Sequence, residues 1–353
     1  MTVIKKNKKI INKVCESWPS KGEWNMREFK NNVTITGVLV KNGIEEFTTK
    51  KGVEAIGGTL VIRTQDGSEH EVNVYANKYK KDSNGNETGE TSYFYNKYVE
   101  AKENLVALET AGDMQFPSVL RIADGEFTVN DFKGQDGNMI TNNKINCKFI
   151  NVVEPKDLET TVQEAKFEVE GIIESITDEI VKGSPTGDLI VKFNAIQTAR
   201  IDSNGNYTYD KEKGKVTATG LVPIKLKVDK SMVSAFRTAN YYDGCFTKFI
   251  GKLINTTEIV EIVEPQAFGE DVHRQVKTYV KKYEIKSGGT ATTIESVELT
   301  HDIVTMLINK RKEELNAKLN ATTSSQPQEG SFGGNSQTTP PPAQNNPFAN
   351  PFA

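Results

Sequence analysis

The sequence predicts a mainly β protein: two tandem five-stranded barrels, each with a helix between its third and fourth strands, then a C-terminal helix and a disordered tail. Three observations carry this. Short alternating or β-branched runs bounded by Gly, Asn and Asp fill positions 31 to 290. Segments recur at offsets of 134, 129 and 128, and the composition changes abruptly from Thr322 onward.

The runs "NVTITGVLV" (32 to 40), "GTLVIRT" (58 to 64), "HEVNVYANKY" (70 to 79) and "NCKFINVVE" (146 to 154) are dense in Val, Ile, Thr, Phe and Tyr and read as strands. Asp66-Gly67 and "GQDGN" (134 to 138) supply the left-handed backbone that tight hairpins need. In the first repeat the expected order is strands at 31 to 41, 58 to 65 and 69 to 79, a helix at 96 to 110, then strands at 118 to 132 and 139 to 154. In the second it is 166 to 177, 187 to 199, 216 to 229, a helix at 231 to 240, 245 to 262 and 274 to 287.

The repeat rests on three matches. "VTITGVL" (33 to 39) reads like "FEVEGII" (167 to 173), and "GTLVIRT" like "GDLIVKF" (187 to 193). "TAGDM" (110 to 114) reads like the start of "TANYYDG" (238 to 244). A boundary near Pro155 to Glu164 follows, giving domains at 31–155 and 164–290 after a basic arm at 1–30. Three strands, a helix and two strands is the order of an OB-fold.

Beyond the repeats, the segment 298–321 holds Ile303, Leu307, Leu315 and Leu319 at multiples of four with no Gly or Pro in 299 to 321, which predicts a helix. It packs on the preceding domain or, in the alternative, dimerises, with Lys310, Arg311 and Lys312 toward solvent. In 322–353 six of the chain's twelve prolines join Ser, Thr, Gln, Asn and Gly, and Glu329 is the only charged residue. Such a stretch buries too little apolar surface to offset its ordering entropy, so it is expected to be disordered.

Net charge of -3 excludes a polycation that holds duplex DNA by charge alone. Three cysteines without a C-x-x-C pair argue against a disulfide framework or thiolate zinc site and for a reducing, intracellular setting. No run approaches a membrane span, and lysines interrupt the apolar residues at the N-terminus. His70, His273 and His301 are too far apart to suggest a metal pair, and His70 and His301 are expected at the surface. "GCFTKFIGKL" (244 to 253) has six residues between its glycines, and Leu253 stands where a phosphate loop needs Ser or Thr. Neither a cofactor nor catalysis is expected.

What clusters is aromatic rings among lysines. Residues 74 to 98 hold Tyr75, Tyr79, Tyr93, Phe94, Tyr95 and Tyr98 beside Lys78, Lys80, Lys81 and Lys97. Residues 273 to 286 hold Tyr279 and Tyr283 beside Arg274, Lys277, Lys281, Lys282 and Lys286. Unpaired bases stack on aromatic faces while lysines follow the phosphates, so these residues are candidates for single-stranded DNA binding. Tyr and Phe are also ordinary strand formers, and half of an alternating set faces the core. Alternation puts Tyr279, Lys281 and Tyr283 on one face; Tyr93 to Tyr95 form either a stacking platform or a packed hairpin. The arm, with eight Lys or Arg against three Glu and both Trp18 and Trp24, either wraps the nucleic acid or docks on the first barrel.

On these residues the chain resembles single-stranded DNA-binding proteins, in particular the phage-encoded kind. The duplicated strand order, the long strands with an Asp-Gly tip in 119 to 154, and the low-complexity tail ending in "NPFANPFA" carry the resemblance. It implies a non-enzymatic, intracellular protein that coats single-stranded DNA in replication, recombination or repair in a bacterial host. It also implies that Pro347-Phe348 and Pro351-Phe352 dock on replication or recombination proteins, by a flexible leash that explains why these phenylalanines stay unburied. The family's tip is acidic and ends at Phe, whereas this tail ends Phe352-Ala353. Two barrels in one chain point to a monomer or dimer. The alternative is a structural or adaptor protein whose β domains and Asn-Pro-Phe units bind other proteins.

Overall fold

The computed structural model describes residues 26–82, 86–134, 136–202, 214–264, 268 and 272–321. Trp18, Trp24 and the tail residues Pro347, Phe348, Pro351 and Phe352 lie outside the described residues.

The first half contains β1 (Asn31–Asn42), β2 (Glu45–Thr48), β3 (Glu54–Arg63), β4 (Glu69–Asn77), β5 (Tyr79–Lys81) and β6 (Glu87–Thr91), then helix α1 (Tyr93–Asn104), β7 (Val119–Lys133), β8 (Met139–Asn146) and β9 (Asn151–Val152). Its barrel closes in the order β1, β3, β4, β8, β7 and back to β1, with only β4 and β8 parallel. The second half contains β10 (Ala165–Val181), β11 (Ser184–Asp202), β12 (Gly214–Val228), helix α2 (Val233–Thr238), β13 (Phe246–Glu264) and β14 (Val272–Gly288). It closes as β10, β11, β12, β14, β13 and back to β10, with only β12 and β14 parallel. A parallel pair needs a crossover between its strands, and the helix with the fourth strand supplies it in each half. Both halves therefore have the strand order of an OB-fold.

The repeat has a physical basis at one position. Gly37 in β1 and Gly171 in β10 are equivalent in the matched segments, and a Cβ on either would collide with a neighbouring strand's carbonyl oxygen, that of Arg63 or of Asn194. Both first strands coil across their barrel at this point, and only hydrogen fits. Inward-facing Ile35, Leu39, Leu60, Ile62, Leu120 and Phe127 fill the first barrel; Phe167, Val191, Phe193, Val222, Leu226 and Phe249 fill the second.

The barrels are fused. Asn31 to Ile35 of β1 pair antiparallel with Ala165 to Val169 of β10, which makes one 12-stranded sheet. The Tyr283 ring of β14 reaches into the first barrel, 5.0 Å from the Phe127 ring, and Asn143 donates a 2.9 Å hydrogen bond to the Pro223 carbonyl. The third helix, α3 (His301–Ala321), lies against both β12 and β7. Its Leu307 is buried in a satellite core with Met26, Phe29, Ile196, Leu221 and Phe246.

Several expectations need correction. Helix α1 starts at Tyr93 rather than 96 and ends at Asn104 rather than 110, because Leu105 is extended and the turn that follows is tied to β1, Leu108 and Glu109 donating backbone bonds to the Leu39 and Val40 carbonyls. Strand β8 stops at Asn146, where the Asp124 carboxylate accepts from the Lys148 and Phe149 amides at 3.2 and 3.3 Å and turns the chain. The described end of the arm docks on the second barrel, not the first: Arg27 forms a paired bridge to Glu170 at 2.8 and 3.1 Å, and Phe29 packs 5.4 Å from Phe246. Arg311 turns inward to Asp131 and Lys310 donates to the Thr219 carbonyl at 2.6 Å, so neither is simply a solvent-facing charge. His70 is buried, because alternation places it inward with Val72 and Val74.

Candidate nucleic-acid interface

On the first barrel, alternation along β4 points Glu71, Asn73 and Tyr75 outward while Val72, Val74 and Ala76 fill the core. Tyr75 stands opposite Gly57 of β3, so no side chain competes with its ring, and it stays half exposed at 55%. Phe47 of β2 lies 6.2 Å away and extends the aromatic surface. The Tyr75 hydroxyl donates to Asn77 at 2.6 Å, which steadies the ring.

Beyond this face the lysines are braced by acids. Lys78 bonds Glu54 at 3.1 Å and stands 5.5 Å above the half-buried Tyr79 ring; the Glu54 hydrogen bond holds its ammonium above the ordinary lysine range. Lys80 pairs with Glu90 at 2.9 Å across the β5–β6 hairpin, and Lys81 is exposed. At the start of α1, Tyr93 is exposed with the Lys97 ammonium 6.0 Å from its ring, and Lys97 bridges Glu100 at 2.6 Å. Together with Phe94, Lys148 and Phe149 they line a groove of about 400 Å³. Tyr95 points the other way. It is buried and donates to Glu46 at 2.8 Å; that bond, with Lys102 beside it, holds the Glu46 carboxyl below its usual range.

On the second barrel, β14 forms a long ribbon with β13. Lys277, Tyr279 and Lys281 occupy alternate positions, all exposed, with Tyr279 at 64%. Arg274 is also exposed, on the opposite face of the strand. Tyr283 continues the Tyr279 row but is covered by Phe127, and burial pushes its phenol up to about 12. It is an inter-barrel core residue more than a free stacking face. Lys282 and Lys286 both pair with the buried Glu284.

The structure thus brings Tyr75 near Phe47, and Tyr279 and Lys281 to the seam between barrels, where they line a cleft of about 90 Å³ with His70, Asn73, Lys144 and Asn255. Tyr93 and Lys97 belong to a separate groove. Phe47, Phe149, His70 and Asn255 were missed by sequence reasoning. Phe47 alone had a signal, as an aromatic in a polar hairpin arm; the others depend on tertiary packing. Among the described residues no three His, Cys, Asp or Glu side chains gather where a metal ion would sit, and no helix is long and apolar enough to cross a membrane.

The family model described as YorF matches residues 30–321, which spans both barrels and helix α3. The chain belongs to the YorF family. No curated protein matches this YorF member. Among solved structures, the single-stranded DNA binding protein from Thermus aquaticus is similar at 9% identity, covering 75% of this chain and 95% of that chain with a TM-score of 0.40. The small single-stranded DNA-binding protein from Streptomyces coelicolor is similar at 12% identity over 36% of this chain and 94% of that chain, TM-score 0.21. A replication protein A heterotrimer bound to single-stranded DNA is similar at 13% identity over 85% of this chain and 55% of that chain, TM-score 0.20.

Proposed function

We propose that this YorF-family chain is a non-enzymatic single-stranded DNA-binding protein whose two barrels hold an unpaired strand. The observation that carries the reading is the display of exposed rings on both barrels: Tyr75, beside the half-buried Phe47, on the outer face of the first, and Tyr279 between Lys277 and Lys281 on the second. Exposed rings on rigid strands offer π-faces to successive bases, and lysines offer cations to the phosphates. Lys78, Lys80 and Lys81 follow the Tyr75 face along the chain, Tyr93 and Lys97 offer a further ring and cation in their separate groove, and Arg274 adds a cation on the other face of β14; Tyr95 and Tyr283 serve by packing. Local cations matter more here than the net charge of -3.

The chain coats single-stranded DNA during replication or recombination inside a bacterial cell, as a phage-encoded protein. Its Pro347-Phe348 and Pro351-Phe352 units recruit proteins of those pathways. These finer points rest on the sequence resemblance.

The test is titration of intrinsic Tyr and Trp fluorescence with oligo-dT and with a duplex of equal length, at low and raised salt. Quenching by oligo-dT, weak duplex binding, and a salt slope of roughly 0.7 per phosphate contact are expected. Equal affinity for duplex, or no binding at low salt, would sink the reading. Removing residues 322–353 should leave this affinity in place and abolish capture of partner proteins.

A further inference from the structure

We propose that the cleft between the two barrels captures the Watson–Crick edge of one unpaired nucleobase, read by Asn255 and His70. This rests on the reading of the chain as a single-strand binder and adds a base-reading subsite to it.

Two buried polar atoms in the cleft walls, His70 Nε2 and Asn255 Oδ1, have no hydrogen-bond partner. Buried polar atoms are nearly always paired, so two orphans at one cleft point to a ligand. Asn255 Nδ2 donates to the Glu69 carbonyl and its backbone amide donates to Ser68 Oγ at 3.2 Å, which anchors the side chain across the seam and fixes Oδ1 as the free acceptor. His70 is neutral near pH 7, since burial, with Lys281 nearby, lowers it to about 4 against the opposing pull of Asp66. A neutral imidazole nitrogen either donates or accepts, according to tautomer.

An obligate acceptor and an adjustable nitrogen lining one cleft suit a base edge, where an N–H lies next to a carbonyl or ring nitrogen. Thymine, for instance, would donate N3–H to Asn255 Oδ1 and accept from His70 Nε2–H at O4. An anion fits worse: Oδ1 repels it and the Glu71 carboxylate stands in the wall, although Lys144 and Lys281 flank it.

Size agrees. A fully enclosed benzene-sized ring needs about 150 Å³. The cleft holds about 90 Å³, so only the edge enters and the ring face remains outside, where Tyr279 is 64% exposed and free to stack. A paired base has already committed that edge, so duplex is excluded by chemistry as well as by shape.

The test compares the full chain's affinity for oligo-dT with that for the same oligomer of N3-methylthymidine, which blocks the edge while keeping ring faces, sugars and phosphates. The wild-type chain should bind the methylated oligomer about tenfold more weakly or worse. The ratio should fall toward one in Asn255→Leu and in His70→Phe. Because each ratio is read within one protein, partial destabilisation of a variant cancels. Equal affinities in the wild type would overturn the subsite while leaving single-strand binding intact, as would an unchanged ratio in both variants. Failure to bind either oligomer would overturn the single-strand reading, and the subsite with it.

Discussion

Arg311 of helix α3 grips Asp131 of β7 through two N–H···O contacts of 2.5 Å across 180 positions of chain. Asp131 is almost wholly covered, and Lys318 adds a third cationic contact at 3.1 Å. The helix leaves the second barrel and locks onto the first, so this pair straps the fused barrels together.

The strap should be acid-sensitive. Burial alone pushes the Asp131 carboxyl up, but bonds from Arg311, Thr141 and Lys318 and the Arg311 charge outweigh it and hold it at about 2, against 3.8 for a free side chain. A depressed folded-state value stabilises above the unfolded value and is lost as pH falls through the folded one. About 2 kcal/mol should therefore disappear between roughly pH 4 and 2. Asp131→Asn should lose a similar amount at pH 7 and flatten that part of the curve, measured by denaturant unfolding across pH. An unchanged acid limb would remove the strap from the account.

Gly37→Ala and Gly171→Ala should each destabilise their barrel by about 1 to 3 kcal/mol or more, because the new methyl meets rigid backbone that no rotamer change relieves. Gly52→Ala has open space around it, though its φ of 77 adds backbone strain, so it should cost less. Thermal melts of the three variants give the order; equal losses would deny the close approach.

Tyr279 and Tyr283 should part company. Tyr279→Ala should change stability by less than about 0.5 kcal/mol and weaken oligo-dT binding by about 1 to 3 kcal/mol, with Tyr75→Ala behaving alike. Tyr283→Ala removes the Phe127 contact and should cost about 3 kcal/mol of folding stability. Paired unfolding and binding measurements separate the two roles.

Arg27→Ala should cost about 2 kcal/mol, since the buried Glu170 carboxylate loses both guanidinium bonds and retains the Lys30 amide at 2.9 Å. The loss should appear as earlier protease cleavage near residue 27, read by mass spectrometry, before the barrels unfold. Cleavage unchanged from wild type would mean that Phe29 and Met26 alone hold this segment.

Alternation and turn chemistry make both barrels legible in the sequence. β-branched runs define strands locally, Asp66-Gly67 sets a hairpin through its own φ of 81 at Gly67, and repetition supplies the order twice. The face that Tyr279 shares with Lys281 and Tyr283 was legible for the same reason, because a period of two divides a strand's faces without reference to the rest of the fold.

Which barrel covers which residue was not legible, because that depends on contacts between segments far apart in sequence. Tyr279 and Tyr283 share one row of β14, yet only the pairing of β1 with β10 brings Phe127 over Tyr283 and leaves Tyr279 open. Asn255 is an unremarkable polar residue in a strand until the seam sets it against Ser68 and Glu69 near His70. The sequence alone determined two OB-type barrels through local periodicity. The tertiary structure alone decided the fused sheet, the α3 strap and the cleft, since each is made by side chains that meet only after both barrels have closed.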